Sequence, residues 1–204
     1  MKFFYTIASY FFYTMSKVFY HNKVEWETDP REIKGGAIIA PNHVSYLDPQ
    51  LISGSWPGSI TFFAGSHLFQ KPILGILLRM LCCHPVEKGN ELATIRTAIK
   101  LLKQGKKIVL FPEGTRSNDG VLKPLRSGVA FLALQSRCPV IPCYISGTYQ
   151  AWPRSKKWPR FFGVKTICHF GRPIWPCDAS GNLVSKEALN EQLYEAISRL
   201  AERE

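Results

Sequence analysis

Acidic residues are scarce in this chain: 15 Asp and Glu stand against 26 Lys and Arg, a formal net charge of +11 at pH 7. That balance argues against cationic partners and favours anionic lipid, phosphate esters, nucleic acid or acidic proteins. No C-x-x-C spacing occurs, and the six cysteines include the adjacent pair Cys82 and Cys83, so a small secreted disulfide framework is excluded. Reduced thiols in a cytosolic setting follow. A zinc site would require Cys82, Cys83 and His84 to meet Cys168 and His169, which no local spacing supports; no metal is expected. There is no G-x-S-x-G elbow, which removes the usual serine hydrolase and leaves only Ser45, near His43, as a candidate nucleophile. Internal repeats and low-complexity segments are absent too.

Long apolar runs are also missing where a membrane span would need one. The first twenty residues, MKFFYTIASYFFYTMSKVFY, are rich in Phe and Tyr, but the charge-free stretch between Lys2 and Lys17 is too short to cross hydrocarbon comfortably. No small-x-small site follows it, as a cleaved signal peptide would require. An interfacial helix over residues 1–20 is expected, its rings at the headgroup boundary and Lys2 and Lys17 reaching lipid phosphates. A core helix is the alternative.

The remainder, residues 21–204, is sized for one domain. Short apolar runs punctuated by Pro and Gly predict strands at Val24–Glu27, Ala37–Ala40, Ile60–Ala64, Lys107–Phe111, Val140–Ile145 and Val164–Phe170. Leu92, Ile95, Ile99 and Leu102 recur at helical spacing, with Asn90 as a cap and Gly105 past the end. Further helices are expected over Pro72–Leu81, apolar nearly all round, and over Ser185–Arg203, which is amphipathic. The pattern is that of an α/β fold: a single domain with a central mixed, largely parallel sheet flanked by helices, preceded by the N-terminal aromatic helix.

Two loops carry chemistry. Pro41-Asn42-His43-Val44-Ser45-Tyr46-Leu47-Asp48-Pro49 directly follows a predicted strand, and in open α/β sheets ligands bind at that carboxyl edge. On a continuous helix, five positions would leave His43 and Asp48 roughly 140° apart. Asp48-Pro49 is instead a helix start, with Asp48 as N-cap, so a turn can fold His43 back onto the carboxylate. A carboxylate on one imidazole nitrogen would leave the other to accept a proton from an alcohol; alternatively Asp48 merely caps and His43 is a loop histidine.

The second loop, Phe111-Pro112-Glu113-Gly114-Thr115-Arg116-Ser117, follows another predicted strand and would share the same edge if the two strands run parallel. Backbone amides at Gly114, hydroxyls and the Arg116 fork suit a phosphate monoester, though a plain turn with solvated charges is also consistent.

Together, N-H-x-x-x-x-D and, about seventy positions later, F-P-E-G-T-R-S resemble the glycerolipid acyltransferase family, over about Ala37 to Gly147. The resemblance implies that His43 is the base and Asp48 its orienting partner. It also implies that Glu113, Gly114, Thr115 and Arg116 hold an acceptor phosphate, and that no acyl-enzyme forms. The expected reaction moves a fatty acyl group from acyl-CoA or acyl carrier protein, as co-substrate and with no other cofactor, to the 2-hydroxyl of 1-acylglycerol 3-phosphate. Val140-Ile141-Pro142-Cys143-Tyr144 resembles the family's apolar strand with a central proline, making Pro142 a supporting residue, as is Asn42. Where the family has an arginine, the stretch His84–Lys88 carries Lys88, a point charge that would orient phosphate less well. Asn42, its neighbouring amides and the start of the Pro49 helix are the candidates for oxyanion stabilisation.

The stretch Trp152–Phe162 interleaves cations with aromatics, as a membrane-interface loop would; single-stranded nucleic acid or a solvated loop are the other readings. The resemblance favours lipid: a peripheral or monotopic protein on the cytoplasmic face of a membrane, partnered by a lipid acceptor, an acyl thioester donor and transiently acyl carrier protein, without nucleic acid. A basic binding module, in which His43 and Glu113 have no chemical role, is the competing class.

Overall fold

The computed structural model describes residues 2–87, 89 and 91–203. In chain order it contains α1 (Lys2–Tyr20), β1 (Lys23–Trp26), β2 (Ala37–Pro41), α2 (Asp48–Ser55), β3 (Ile60–Gly65), α3 (Ser66–Phe69), α4 (Pro72–Met80), β4 (His84–Val86), α5 (Glu91–Lys103), β5 (Lys107–Val109), α6 (Gly128–Ser136), β6 (Val140–Ser146), α7 (Thr148–Ala151), β7 (Ile167–Phe170) and α8 (Lys186–Ala201). The strands form one sheet in the order β1-β7-β6-β2-β5-β3-β4. Every neighbouring pair is parallel except β6 and β7, so the sheet is mixed and largely parallel, as the sequence pattern predicts.

A parallel sheet is stable only when both faces are covered, and β2 is buried at all five positions. Its side chains alternate between two cores, as the pleat requires. Ala37 and Ile39 join Leu51, Ile52 and Trp56 on the α2 side, while Ile38 and Ala40 join Leu102 of α5, Val129 and Ala133 of α6, and Leu189, Leu193 and Ile197 of α8. Each fully buried Ile or Leu contributes roughly 1.5–3 kcal/mol relative to exposure, which fixes the strand register and hence the height of the loops at the sheet edge.

One face of α1 packs on the domain through Tyr5, Ala8, Phe12 and Tyr20, while Ile7, Tyr10, Phe11, Tyr13 and Val18 are exposed. The approach to α2 is close: a Cβ on Gly54 would lie 2.8 Å from the Tyr13 nitrogen. Ser9 Oγ donates to the Ser53 carbonyl at 2.8 Å, and Tyr5 Oη accepts from the Ile60 amide at 3.1 Å. No helix among the described residues is long and apolar enough to cross a membrane.

Several boundaries differ from the sequence expectation. Lys107–Phe111 is strand only to Val109, and Val164–Phe170 only from Ile167, because each chain leaves the ladder where it turns into a loop. The edge strand β4 and the helix α6 were not anticipated: β4 is three residues long with a central proline, and α6 is apolar on all sides, so neither displays a period. Asn90 lies outside the described residues. Ser185 caps α8, its hydroxyl accepting from the Ala188 amide at 3.1 Å.

Candidate active site

Three neighbouring parallel strands, β5, β2 and β6, end at one edge of the sheet and deliver three segments to the same place. From β2 comes the loop to Asp48, from β5 the loop Pro112–Ser117, and from β6 the turn into α7.

His43 Nδ1 lies 2.8 Å from Asp48 Oδ2. The same oxygen accepts from the Val44 and Ser45 amides, each at 2.8 Å, and Oδ1 accepts from Thr148 Oγ1 at 2.7 Å. Asp48 is fully buried, and a buried carboxylate keeps its charge only when it is surrounded by donors in this way. The expected N-cap role is corrected here: Leu47 occupies the cap position without a side-chain cap bond, and Asp48 is the first helical residue. Its carboxylate faces back into the loop because three donors there outweigh one capping bond. With Nδ1 engaged, Nε2 is the imidazole nitrogen that can exchange a proton with a bound alcohol. The Phe111 ring stacks on the imidazole at 3.8 Å between centroids and limits its tilt.

The two loops are laced together through the backbone of His43. Its amide donates to Glu113 Oε1 at 2.6 Å, and its carbonyl accepts from the Ser117 amide at 2.7 Å. Glu113 Oε2 accepts from the Lys123 amide at 3.0 Å. Burial pushes the Glu113 carboxyl above the ordinary glutamate value, with these two amides pulling it back only in part. Glu113 therefore sits beneath the loop as a brace between His43 and Lys123, and its carboxylate is not free to meet a phosphate, which it would repel. Gly114 and Thr115 are exposed on the loop, and the Arg126 side chain lies over Gly114.

Arg116 stacks its guanidinium on the Tyr46 ring, 3.6 Å from the centroid, so it rests on the histidine loop itself. Its Nη1 is buried without a hydrogen-bond partner, the condition of a donor able to take an anion. The adjacent guanidinium holds the Tyr46 phenol below its ordinary value, and Arg154 and Lys71 add to the effect; the local field is positive. Lys88 lies outside the described residues. An apolar cavity of about 220 Å³, lined by Phe111, Gly114, Arg126, Val129, Phe131 and Leu132 among others, opens beside this loop and shares Phe111 with the dyad.

The supporting residues are placed by the sheet. Asn42 is buried and clasps Ile145 of β6, its Nδ2 donating to the carbonyl at 3.2 Å and its Oδ1 accepting from the amide at 2.7 Å. Its side chain is thus engaged, as are the amides of His43, Val44 and Ser45, which removes all four from the expected oxyanion donors. Pro142 pairs with Ala40 of β2 and accepts from the Gly171 amide at 2.8 Å. Ser45 is fully buried, donates to the Trp152 carbonyl at 2.7 Å and accepts from the Leu47 amide at 3.1 Å, so it is not an exposed nucleophile. Cys82, Cys83 and His84 lie at or beside the edge strand β4, whereas Cys168 and His169 are in β7, next to the opposite edge.

Thr148 was not singled out in the sequence, since it stands one hundred positions from Asp48. Gly147 puts it there. At φ +77°, with a hypothetical Cβ only 2.0 Å from the Lys165 carbonyl oxygen, this position admits only glycine.

Comparison with known proteins gives the same picture. A family model described as Acyltransferase matches residues 17–146. A 1-acyl-sn-glycerol-3-phosphate acyltransferase of Bacillus subtilis (strain 168) is 32% identical over 170 residues, covering 81% of each chain. The enzyme of that name from Limnanthes alba is 32% identical over 133 residues, 60% of this chain and 47% of its own; the chain spans about half the length of such plant relatives. The crystal structure of the 1-acyl-sn-glycerophosphate (LPA) acyltransferase PlsC from Thermotoga maritima superposes with a TM-score of 0.80 at 27% identity, over 98% of this chain and 78% of that one. The chain belongs to the acyltransferase family whose model spans the histidine loop, the Glu113–Arg116 loop and the strand that carries Pro142.

Proposed function

We propose that this protein transfers a fatty acyl group from acyl-CoA or acyl carrier protein to the 2-hydroxyl of 1-acylglycerol 3-phosphate, giving phosphatidate for phospholipid synthesis. The observation that supports the reading is that the loop holding the His43–Asp48 pair also carries Tyr46, on whose ring the Arg116 guanidinium stacks. Relatives named 1-acyl-sn-glycerol-3-phosphate acyltransferase support the same substrate.

The acceptor phosphate binds Arg116, with the amide and hydroxyl of Thr115 beside it and Lys88 adding charge; the Gly114 amide donates to the Phe111 carbonyl at 3.0 Å, so Gly114 serves the turn that presents them. Glu113 shapes that site from beneath. His43 Nε2 takes the proton of the 2-hydroxyl as the oxygen attacks the thioester carbonyl carbon. The tetrahedral oxyanion collapses, the carbon–sulfur bond breaks, and the imidazolium returns its proton to the departing thiolate. Atoms balance without an acyl-enzyme, and no cofactor or metal is called for. General-base assistance contributes about 10²–10⁴ in rate, and positioning of the two substrates contributes much of the rest. The apolar cavity beside Phe111 suits an acyl chain.

Residues 1–20 act in this reading as a membrane-interface helix and 21–204 as the catalytic domain, peripheral or monotopic on the cytoplasmic face. The decisive assay incubates the purified protein with lysophosphatidate and a long-chain acyl thioester and follows thiol release and phosphatidate. Turnover by the wild type with at least about 10²-fold loss in His43→Ala is expected. Thiol release without ester would make the chain a thioesterase. Absence of both products, with glycerol 3-phosphate also failing as acceptor, would leave the binding-module alternative.

A further inference from the structure

Between Asp119 and Asp178 the sequence contains no acidic residue, while Arg154, Lys156, Lys157 and Arg160 fall within seven positions of one another. None of these four forms an ion pair among the described residues. The same loop exposes large rings, with Trp158 74% and Phe162 65% accessible. It does not stand apart from the N-terminal helix: Phe19 of α1 packs against Phe161 and Phe162, with ring centroids at 5.4 and 5.3 Å. That contact joins the loop to a helix that exposes Tyr10, Phe11 and Val18 and, like the loop, contains no acid.

We propose that the loop Arg154–Phe162 is a second membrane-contact element, which together with the outer face of α1 forms one docking surface for a bilayer containing anionic phospholipid. This rests on the reading of the protein as an enzyme of lipid substrates and adds to it where the bilayer sits. Trp and Phe rings settle at the headgroup boundary, and each Lys or Arg near an anionic surface strengthens attachment. Cations outside any ion pair, flanking exposed rings on two segments that contain no acid, are complementary to such a bilayer, whereas a neutral surface would leave the charges unanswered. The root of the loop is fastened to the histidine loop. Ser45 Oγ donates to the Trp152 carbonyl at 2.7 Å, Ser45 and Pro153 form an antiparallel bridge, and the Tyr46 and Trp152 rings lie 5.1 Å apart. Lipid held at this surface is therefore next to the loop that carries His43 and stacks Arg116, which is where an acceptor leaving the bilayer has to arrive.

The test is co-sedimentation of the full chain with vesicles of phosphatidylcholine alone or with phosphatidylglycerol added. The wild type is compared with Lys156→Glu/Lys157→Glu and with Trp158→Ala, whose ring projects to solvent. Thermal melting reports whether each variant is folded. The wild type should partition preferentially to anionic vesicles, and the double charge reversal should weaken that partitioning by at least about 10-fold; Trp158→Ala should weaken binding to both vesicle types. Folded variants that partition like the wild type would overturn the proposal, as would equal wild-type binding to neutral and anionic vesicles. Capture of a single-stranded oligonucleotide in preference to vesicles would assign the surface to nucleic acid and also overturn it. Wild-type turnover on a monomeric short-chain lysophosphatidate is read separately. Turnover without vesicle selectivity sinks the surface alone, and selective vesicle binding without turnover sinks the acyltransferase reading alone.

Discussion

Replacing Thr148 by valine removes one hydroxyl and almost no volume, and the effect should exceed that of an ordinary buried substitution. Thr148 Oγ1 is the donor to Asp48 Oδ1 at 2.7 Å, while Oδ2 serves His43 and two backbone amides. Asp48 is fully buried, so water cannot replace the lost donor without opening the sheet edge. A hydrogen bond to a charged group is worth about 1.5–3 kcal/mol, and the orphaned oxygen adds its own desolvation cost. About 2 kcal/mol lost from a chain of this size lowers the melting temperature by roughly 4–8 °C. The carboxylate would also be freer to rotate away from His43; if about 1.4 kcal/mol of that loss is felt in the transition state, kcat falls about 10-fold. KM for the acceptor should change little, since Thr148 Oγ1 bonds the Asp48 carboxylate while the Arg116 guanidinium is held by the Tyr46 ring. Steady-state kinetics with both substrates varied and a melting curve read the two effects, and Thr148→Ser should restore most of each. A valine variant with wild-type kcat, or a serine variant as impaired as valine, would refute the positioning role.

Arg116→Lys keeps a charge but loses the planar fork stacked on Tyr46; KM for lysophosphatidate should rise at least about 10-fold with a smaller change in KM for the thioester, and equal rises in both would disprove the phosphate assignment. Glu113→Gln leaves one of the two braced amides facing an NH₂ group, costing roughly 1–3 kcal/mol at neutral pH. Because burial raises the Glu113 carboxyl in the folded state, its own contribution is most favourable below the ordinary glutamate value and is lost as pH rises through the raised one. The stability of wild type relative to Glu113→Gln should therefore decline over that window in paired denaturant titrations, and a difference that grows with pH would contradict the sign. Burial pushes the Cys168 thiol up to about 12 and raises Cys143 well above the ordinary value; iodoacetamide at pH 8 should label both only as fast as the protein unfolds, and rapid labelling of either in the native state would show the sheet interior to be open.

Much of the architecture was legible because both faces of the sheet are buried. Ala37–Ala40 and Val140–Ile145 read as strands since every position along them is apolar or small, and the Ile95, Ile99 and Leu102 spacing read as a helix since these residues of α5 meet the core, whereas Leu92 at its start is exposed. What failed to register had no period to reveal it. The strand His84–Val86 is too short to alternate, and α6 carries apolar residues on all sides. The strand order is a different matter: no local pattern says that β5 rather than β3 lies beside β2, so the adjacency of His43 and Arg116 depended on a condition that only the assembled sheet could meet.

The site was legible where chemistry and sequence distance coincide, and obscure where they do not. His43 and Asp48 are five positions apart, and a turn was enough to join them. The third member of that network, Thr148, arrives from the next strand of the sheet, and a threonine after a glycine carries no signature of its own. Glu113 is hard to read for a related reason: a carboxylate in a loop of donors looks functional by residue type alone, and only the assembled loops show both of its oxygens facing backbone amides. The physical hint was available in the sign of its charge, because a phosphate site gains nothing from a nearby carboxylate unless that carboxylate is neutralised by other partners. The same reasoning, applied to Asp48, gives the opposite result. Its carboxylate is fully buried and needs more donors than His43 alone, and a search for a hydroxyl or amide reaching the sheet edge from β6 would have led to Thr148. Polar satisfaction of a buried charge is thus a constraint that can be imposed on a predicted sheet before any coordinates exist: once β6 is placed beside β2, the residue after the Gly147 turn is one of few positions able to supply the missing donor.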